Sequence, residues 1–195
     1  MMLDFEGAKK FILDKLKTEL NPDLKYHGVA HTIDVYNSTT VLAAMEHVNS
    51  RDLLLMQTAA LYHDSGFLIK YKGHEEISVL IAKDILPQYG YKKEDIDVIS
   101  QMIMSTRIPQ TPLSKMDKIL SDADLDYLGR DDFFMNAMRL KHEWMIYGII
   151  TSRKEWYLIQ RDFLQKHNFF TESAIRLRQE KKMIHLSQIK ELLAL

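Results

Sequence analysis

The stretch Tyr26-His27-Gly28-Val29-Ala30-His31-Thr32-Ile33-Asp34-Val35 decides how the chain is read, together with Leu61-Tyr62-His63-Asp64 further on. The two segments supply histidines and carboxylates that could converge on one metal ion, and Ser121-Asp122-Ala123-Asp124-Leu125 adds carboxylates near an expected helix end. Imidazole and carboxylate suit Mn, Fe, Co, Ni or Zn, with Mg at oxygen-rich positions, and leave room for bound water. Such a donor set points towards hydrolytic chemistry.

Outward from these segments the apolar spacing is helical. Phe11, Leu13, Leu16 and Leu20 form a stripe before the Asn21-Pro22-Asp23 break, and a second helix is expected from about His27 or Val29 to His47. Asn49-Ser50-Arg51-Asp52 punctuates the chain before an apolar helix from Leu53 to His63, which Ser65-Gly66 helps to stop. A loop to Gly73 leads into a helix from His74 or Glu75 to Leu86, closed by Pro87, with Gly90 at the next turn. Lys93 to Ser105 reads as another helix. Pro109 and Pro112 mark a loop, and Ser114 is an expected N-cap for a helix from Lys115 to around Leu125. Beyond Gly129, residues 131–165 keep helical spacing with Gly148 as a kink or break, and Thr171 begins a last helix towards Leu195. No run alternates as a strand would. The expectation is an all-α fold, a compact bundle of about seven to nine helices.

Composition narrows the function classes. At 195 residues with 46% apolar side chains, one domain with a sizeable core is expected. Lys and Arg number 26 against 27 Asp and Glu, so no basic field argues for nucleic acid or an anionic membrane surface. The absence of cysteine excludes disulfides, thiolate metal sites and a cysteine nucleophile. Met1-Met2-Leu3-Asp4-Phe5-Glu6 carries acids where a secretory signal carries basic residues, and it reads instead as the start of a helix. Charges interrupt every apolar run well short of the roughly 20 residues of a membrane helix, so a cytoplasmic protein is expected.

The spacing His31…His63-Asp64…Asp124 resembles the HD superfamily of metal-dependent phosphohydrolases over most of the chain. Tyr26-His27-x-x-x-His31-x-x-Asp34-Val35 is similar to the opening signature of the class I cyclic-nucleotide phosphodiesterases, which are HD proteins. Leu61-Tyr62-His63-Asp64-Ser65-Gly66-Phe67, Gly73-His74-Glu75 and Asp122-Ala123-Asp124-Leu125 most resemble small predicted bacterial HD phosphohydrolases. The resemblance implies a single HD-type domain over 1–195, with 130–195 as C-terminal helices packed on the metal-site core. It implies one or two divalent ions held by His31, His63, Asp64 and Asp124. Asp64 would bridge the ions and His27 would protonate the leaving alcohol. Asp124 is preferred to Asp122 because Ala123-Asp124-Leu125 matches the family's Ala-Asp-Leu motif, with Asp122 as second choice. His74 and Glu75 would support a second ion or its waters, although a helix-start position explains His74 equally well and Glu75 better, since acids favour first turns.

The substrate implied is a small phosphorylated molecule, a nucleotide first, with no membrane partner and with self-association left open. Departures bear on specificity. No histidine follows the His-Asp pair before His74, Gly28 stands where the cyclic-nucleotide enzymes have asparagine, and their purine-clamping glutamine has no evident counterpart. The Gly-Tyr-Pro signature of the cyclic-dinucleotide branch is missing. A di-iron oxygenase, which needs further histidines in that interval, ranks below hydrolysis, and a non-catalytic nucleotide-sensing module stays open. Arg107 and Arg176 are the candidate substrate-binding cations, although a solvated loop and the wet face of the last helix, with Arg178, Lys181 and Lys182, account for them as simply. His47, His142, His167 and His185 read as structural or surface residues. Trp144, Tyr147, Trp156 and Tyr157 read as core rather than as a nucleotide-stacking platform.

Overall fold

Helices begin where short polar side chains can take an otherwise unpaired backbone N–H. Asp4 accepts from Gly7, Asn49 from Asp52, Ser114 from Asp117 and Ser152 from Glu155, each at 2.9–3.1 Å. The computed structural model describes residues 3–194, within which nine α-helices follow one another: α1 (Phe5–Glu19), α2 (Val29–Met45), α3 (Ser50–Tyr62), α4 (His74–Ile85), α5 (Lys93–Ser105), α6 (Lys115–Asp124), α7 (Phe133–Ile146), α8 (Arg153–Lys166) and α9 (Glu172–Ala194). Single 3-10 turns lie at Ser65–Leu68, Leu86–Tyr89 and Asp126–Gly129. No strand occurs among the described residues, as the periodicity implied.

One boundary and one buried face differ from expectation for local reasons. Asn49 to Asp52 does not interrupt the chain. Asn49 caps α3 and Asp52 lies in its first turn, so the helix starts at Ser50 rather than Leu53. In α1 the face turned inward is Ala8, Ile12 and Leu16, with Phe11, Leu13 and Leu20 only flanking it, because small Ala8 allows the closer approach. The helix starts at Phe5 behind its Asp4 cap, and Met1 and Met2 lie outside the described residues, as does Leu195. Gly148 does end α7, at φ 66°, a conformation that favours glycine.

α3 lies at the centre, against α1, α2, α5 and α6, with Met56, Ala59, Ala60 and Tyr62 fully enclosed. Gly66 lets the Ser65–Leu68 turn lie on α4, since a Cβ there would overlap the His74 backbone, and its N–H donates to Ser78 Oγ at 2.8 Å. Gly129 plays the same part against Arg178 of α9.

A polar knot holds this second junction. Buried Asp126 accepts from Arg178 Nε at 2.6 Å and Nη2 at 3.1 Å, and from Ser38 at 3.2 Å. Arg130 grips Asp34 through both Nη atoms at 2.8 Å and also bonds Asp132. The basic stretch of α9 is therefore not simply a wet face. Arg178 is spent on Asp126, Lys181 pairs with Asp131, and Lys182 is buried with its ammonium donating to the His167 carbonyl. No helix of the described residues is long and apolar enough to cross a membrane.

Candidate metal centre

Helix ends build the site. Gly28, in extended backbone, separates His27 from α2, so the two histidines are not on one helical face: His31 sits in the first turn and His27 just before it. His63 is the residue after α3 and Asp64 the next, off helical geometry at φ −104° and ψ 7°, which turns both inward. Asp124 is the last residue of α6.

These ends bring four side chains to one point. His31 Nε2 lies 3.2 Å from Asp124 Oδ1, 3.4 Å from Asp64 Oδ2 and 3.4 Å from His63 Nε2. His63 Nε2 is 3.2 Å from Asp64 Oδ2 and 3.5 Å from Asp124 Oδ1. His31, His63 and Asp124 each offer one atom within 4.8 Å of the others. The His63 Nδ1–H donates to the Ala60 carbonyl at 2.8 Å, which leaves a lone pair on Nε2, the form a metal requires. Asp64 Oδ2 is buried without a hydrogen-bond donor. Two imidazole nitrogens and two carboxylate oxygens, one of the latter buried without a hydrogen-bond donor, fit a divalent ion of the Mn, Fe, Co, Ni, Mg or Zn group.

The electrostatics describe a pocket that favours positive charge. Burial opposes charge on His63, yet Asp64 and Asp124 beside it raise its pKa well above the ordinary value, so a bound cation would take the place of the Nε2 proton. Burial likewise disfavours the Asp124 carboxylate, but the His31 and His63 rings hold its pKa at about 2. Asp64 is also held low against burial by His63 and His74. The carboxylates are ionised at any working pH, which is what cation ligands must be.

His74 joins the cluster from the other side. Its Nδ1–H donates to the Tyr71 carbonyl at 3.1 Å and its Nε2 stands 3.2 Å from Asp64 Oδ1, so the two oxygens of Asp64 face different imidazoles. Glu75 is buried beside it and, with His27, Asp64, His74 and Asp124, lines a cavity walled further by side chains of α7 and α8.

His27 stays off the cluster. It stacks on Phe67 at 4.4 Å between ring centroids, and its Nδ1 is 2.5 Å from Glu143 Oε1. Glu143, on α7, is fully buried and also accepts from Tyr26 N–H at 2.9 Å, His27 N–H at 3.1 Å and Tyr71 hydroxyl at 2.7 Å. Sequence reading missed it. The one signal was its place in the stripe Leu140, Glu143, Trp144, Tyr147, where an acid interrupts an apolar helix face.

Three candidates lie elsewhere. Asp122 is two residues from Asp124 and points from another side of α6, where it accepts from Phe170 N–H and Thr171 N–H at 2.8 Å and Thr171 Oγ1 at 2.7 Å. It anchors the start of α9 and is not in the donor cluster. Arg107 is exposed and paired with Glu76 at 2.6 Å, while its neighbours Thr106 and Ile108 line the cavity. Arg176 is exposed on α9 and does not line the cavity. Trp156 is core as expected, yet it and Trp144 also wall that cavity.

No protein-family model matches the chain. An uncharacterised protein of Clostridium beijerinckii is 31% identical over 98 residues, which are 48% of this chain and 62% of that relative's length. Two solved structures are similar throughout. A predicted HD superfamily hydrolase from an uncultured Thermotogales bacterium has TM-score 0.61 at 23% identity, covering 97% of this chain and 91% of its own. Bacillus subtilis YpgQ, crystallised in complex with ADP, has TM-score 0.65 at 21% identity, covering 95% of each. The fold of this chain is the HD-domain helical bundle.

Proposed function

We propose that the protein is a metal-dependent phosphohydrolase, cleaving a phosphate mono- or diester of a small molecule, with nucleotides the first class to try. The observation that carries this reading is the separation of roles. Four donors from α2, the residues just after α3, and α6 gather so that the two imidazole nitrogens lie within 3.5 Å of each other and of both carboxylate oxygens, and His27 stands beside them fixed by Glu143. Two fold neighbours add support, one described as a predicted hydrolase and the other holding ADP.

His31, His63, Asp64 and Asp124 would hold one ion, and the second oxygen of Asp64, with His74 and Glu75, would face another. Divalent ions in such a site acidify water and offset charge developing on phosphoryl oxygens. With Nδ1 committed to Glu143, the proton that His27 delivers is on Nε2. That proton passes to the departing oxygen as its bond to phosphorus breaks and water oxygen takes its place. The Glu143 carboxylate stabilises the charged ring before transfer, and the Phe67 stack fixes its plane.

Metal analysis of untreated protein followed by a screen of cyclic, mono- and polyphosphate nucleotides and model esters tests this. Turnover that needs divalent metal and vanishes in His63→Ala and Asp64→Ala, with the fold retained by circular dichroism, is expected. Undiminished activity of those variants under chelation would end the proposal.

A further inference from the structure

One face of α7 is turned to solvent and carries sulfur. Met135, Met138 and Met145 are each about half exposed, at 53%, 52% and 51%, and together with exposed His142 they line one open groove. The pattern Met135-x-x-Met138-x-x-x-His142-x-x-Met145 steps by three, four and three residues. At about 100° per residue those steps keep all four side chains within an arc of about 80°, with neighbours roughly 5–6 Å apart at Cβ. Glu143, the residue after His142, is fully buried, and none of the four lines the cavity at the donor cluster. The stripe is a separate feature of the outer surface.

Packing does not ask for these side chains, because polar or charged residues serve the wet face of a helix and propagate it as well as methionine does. What methionine brings is a soft thioether on a flexible stem. His142 takes part in no side-chain hydrogen bond or ion pair among the described residues, which leaves its ring free to ligate. Thioether and imidazole together suit Cu(I), whereas the imidazoles and carboxylates of the other cluster suit harder divalent ions. The chain has no cysteine, so methionine is its only sulfur donor. Charge acts in the same direction. Lys25, Arg139 and Lys141 line the groove, no carboxylate does so among the described residues, and such a rim repels a divalent ion twice as strongly as a monovalent one.

We infer that α7 carries a surface site for a soft monovalent ion, Cu(I), held by the His142 imidazole and the thioethers of Met138 and Met145 on either side of it. Met135, one turn earlier, supplies a further thioether. The site is independent of the phosphohydrolase reading and stands or falls without it.

Protein labelled with carbon-13 at the methionine methyl groups provides the test, with Zn added first to occupy the nitrogen and oxygen donors of the other cluster. Ag(I), a redox-stable stand-in for Cu(I), is then titrated in chloride-free buffer. The methyl resonances of Met135, Met138 and Met145 should shift and saturate at one equivalent. Met183 on α9, as exposed at 48% but outside the stripe, should stay in place, as should the enclosed Met56 and Met102. Cu(I) affinity is read without oxygen, with ascorbate as reductant and bicinchoninate as competing chelator. The double variant Met138→Leu, Met145→Leu keeps apolarity and helix propensity but removes two thioethers. It should weaken Cu(I) by at least about 100-fold, beyond the roughly 10–100-fold that loss of an outer-shell partner costs a metal site. No shift in the stripe, shifts of Met183 equal to those of the stripe, the same shifts with Zn alone, or unchanged Cu(I) affinity in the double variant would each overturn the inference. If the double variant does not fold, Met138→Leu alone and the wild-type methyl pattern decide it.

Discussion

Replacing Glu143 with Gln tests the proton-delivery argument most directly. The carboxylate takes four donors on two oxygens: Tyr26 N–H, His27 N–H, His27 Nδ1–H and Tyr71 hydroxyl. Glutamine has one oxygen. If it serves the two backbone groups, the amide NH2 faces Nδ1 and the tyrosine, so Nδ1 must become an acceptor and the charged ring loses its counter-ion. Positioned acid catalysis contributes about 10²–10⁴-fold, and we expect Glu143→Gln to lower kcat by about 10²–10³, or about 3–4 kcal/mol, for esters with alkyl leaving groups. A nitrophenyl ester leaves without a proton and should lose less than about tenfold. Stability should fall by about 1.5–3 kcal/mol for the lost charge-assisted bond, read separately by denaturant unfolding. Burial raises the Glu143 carboxyl, but His27 and Tyr71 hold it below its ordinary 4.5. Its stabilisation is thus present above about pH 4.5 and is lost as pH falls through the folded value. Equal losses on alkyl and nitrophenyl esters would refute the role given to this pair.

Asp122→Ala should destabilise by about 2–4 kcal/mol, since it strips the half-buried Phe170 N–H and the buried Thr171 N–H of their acceptor, while metal content after mild purification stays at the wild-type level; loss of metal would place Asp122 in the site after all. Gly66→Ala should push His74 off Asp64 through the overlap with its backbone, lowering stability by about 2 kcal/mol or more and weakening any second ion before the first in a calorimetric titration. His167→Phe should relieve an acid liability. Burial and the nearby Lys182 push its pKa down to about 4, so its contribution is intact above about 6.5 and lost as pH falls towards 4. The wild type should lose about 1–2 kcal/mol between pH 7 and 5 that the variant keeps, and parallel unfolding curves at both pH values would contradict this.

Helix order was legible because caps, glycines and prolines mark helix ends, and the proposed donor set because His31, His63, Asp64 and Asp124 follow the order of the HD pattern that the chain resembles. What escaped depends on distant packing. Glu143 meets His27 across 116 residues, and only its polarity in an apolar stripe hinted at it. Asp122 and Asp124 are told apart in sequence only by the Ala-Asp-Leu resemblance, whereas two residues of helix turn them to different neighbours. Arg178 and Lys182 look solvated because their partners, Asp126 and the His167 carbonyl, lie on other elements.

The placement of Glu143 has a consequence for how the molecule can be altered. Every residue of the proposed ion site precedes Leu125, whereas the partner of the acid and much of the cavity wall come from α7 and α8. On the proposed reading, affinity for the ion and choice of leaving group would be written in separate stretches of one chain. Exchanging α7 and α8 while keeping Glu143 offers a route to new specificities that leaves the inorganic part of the catalyst untouched.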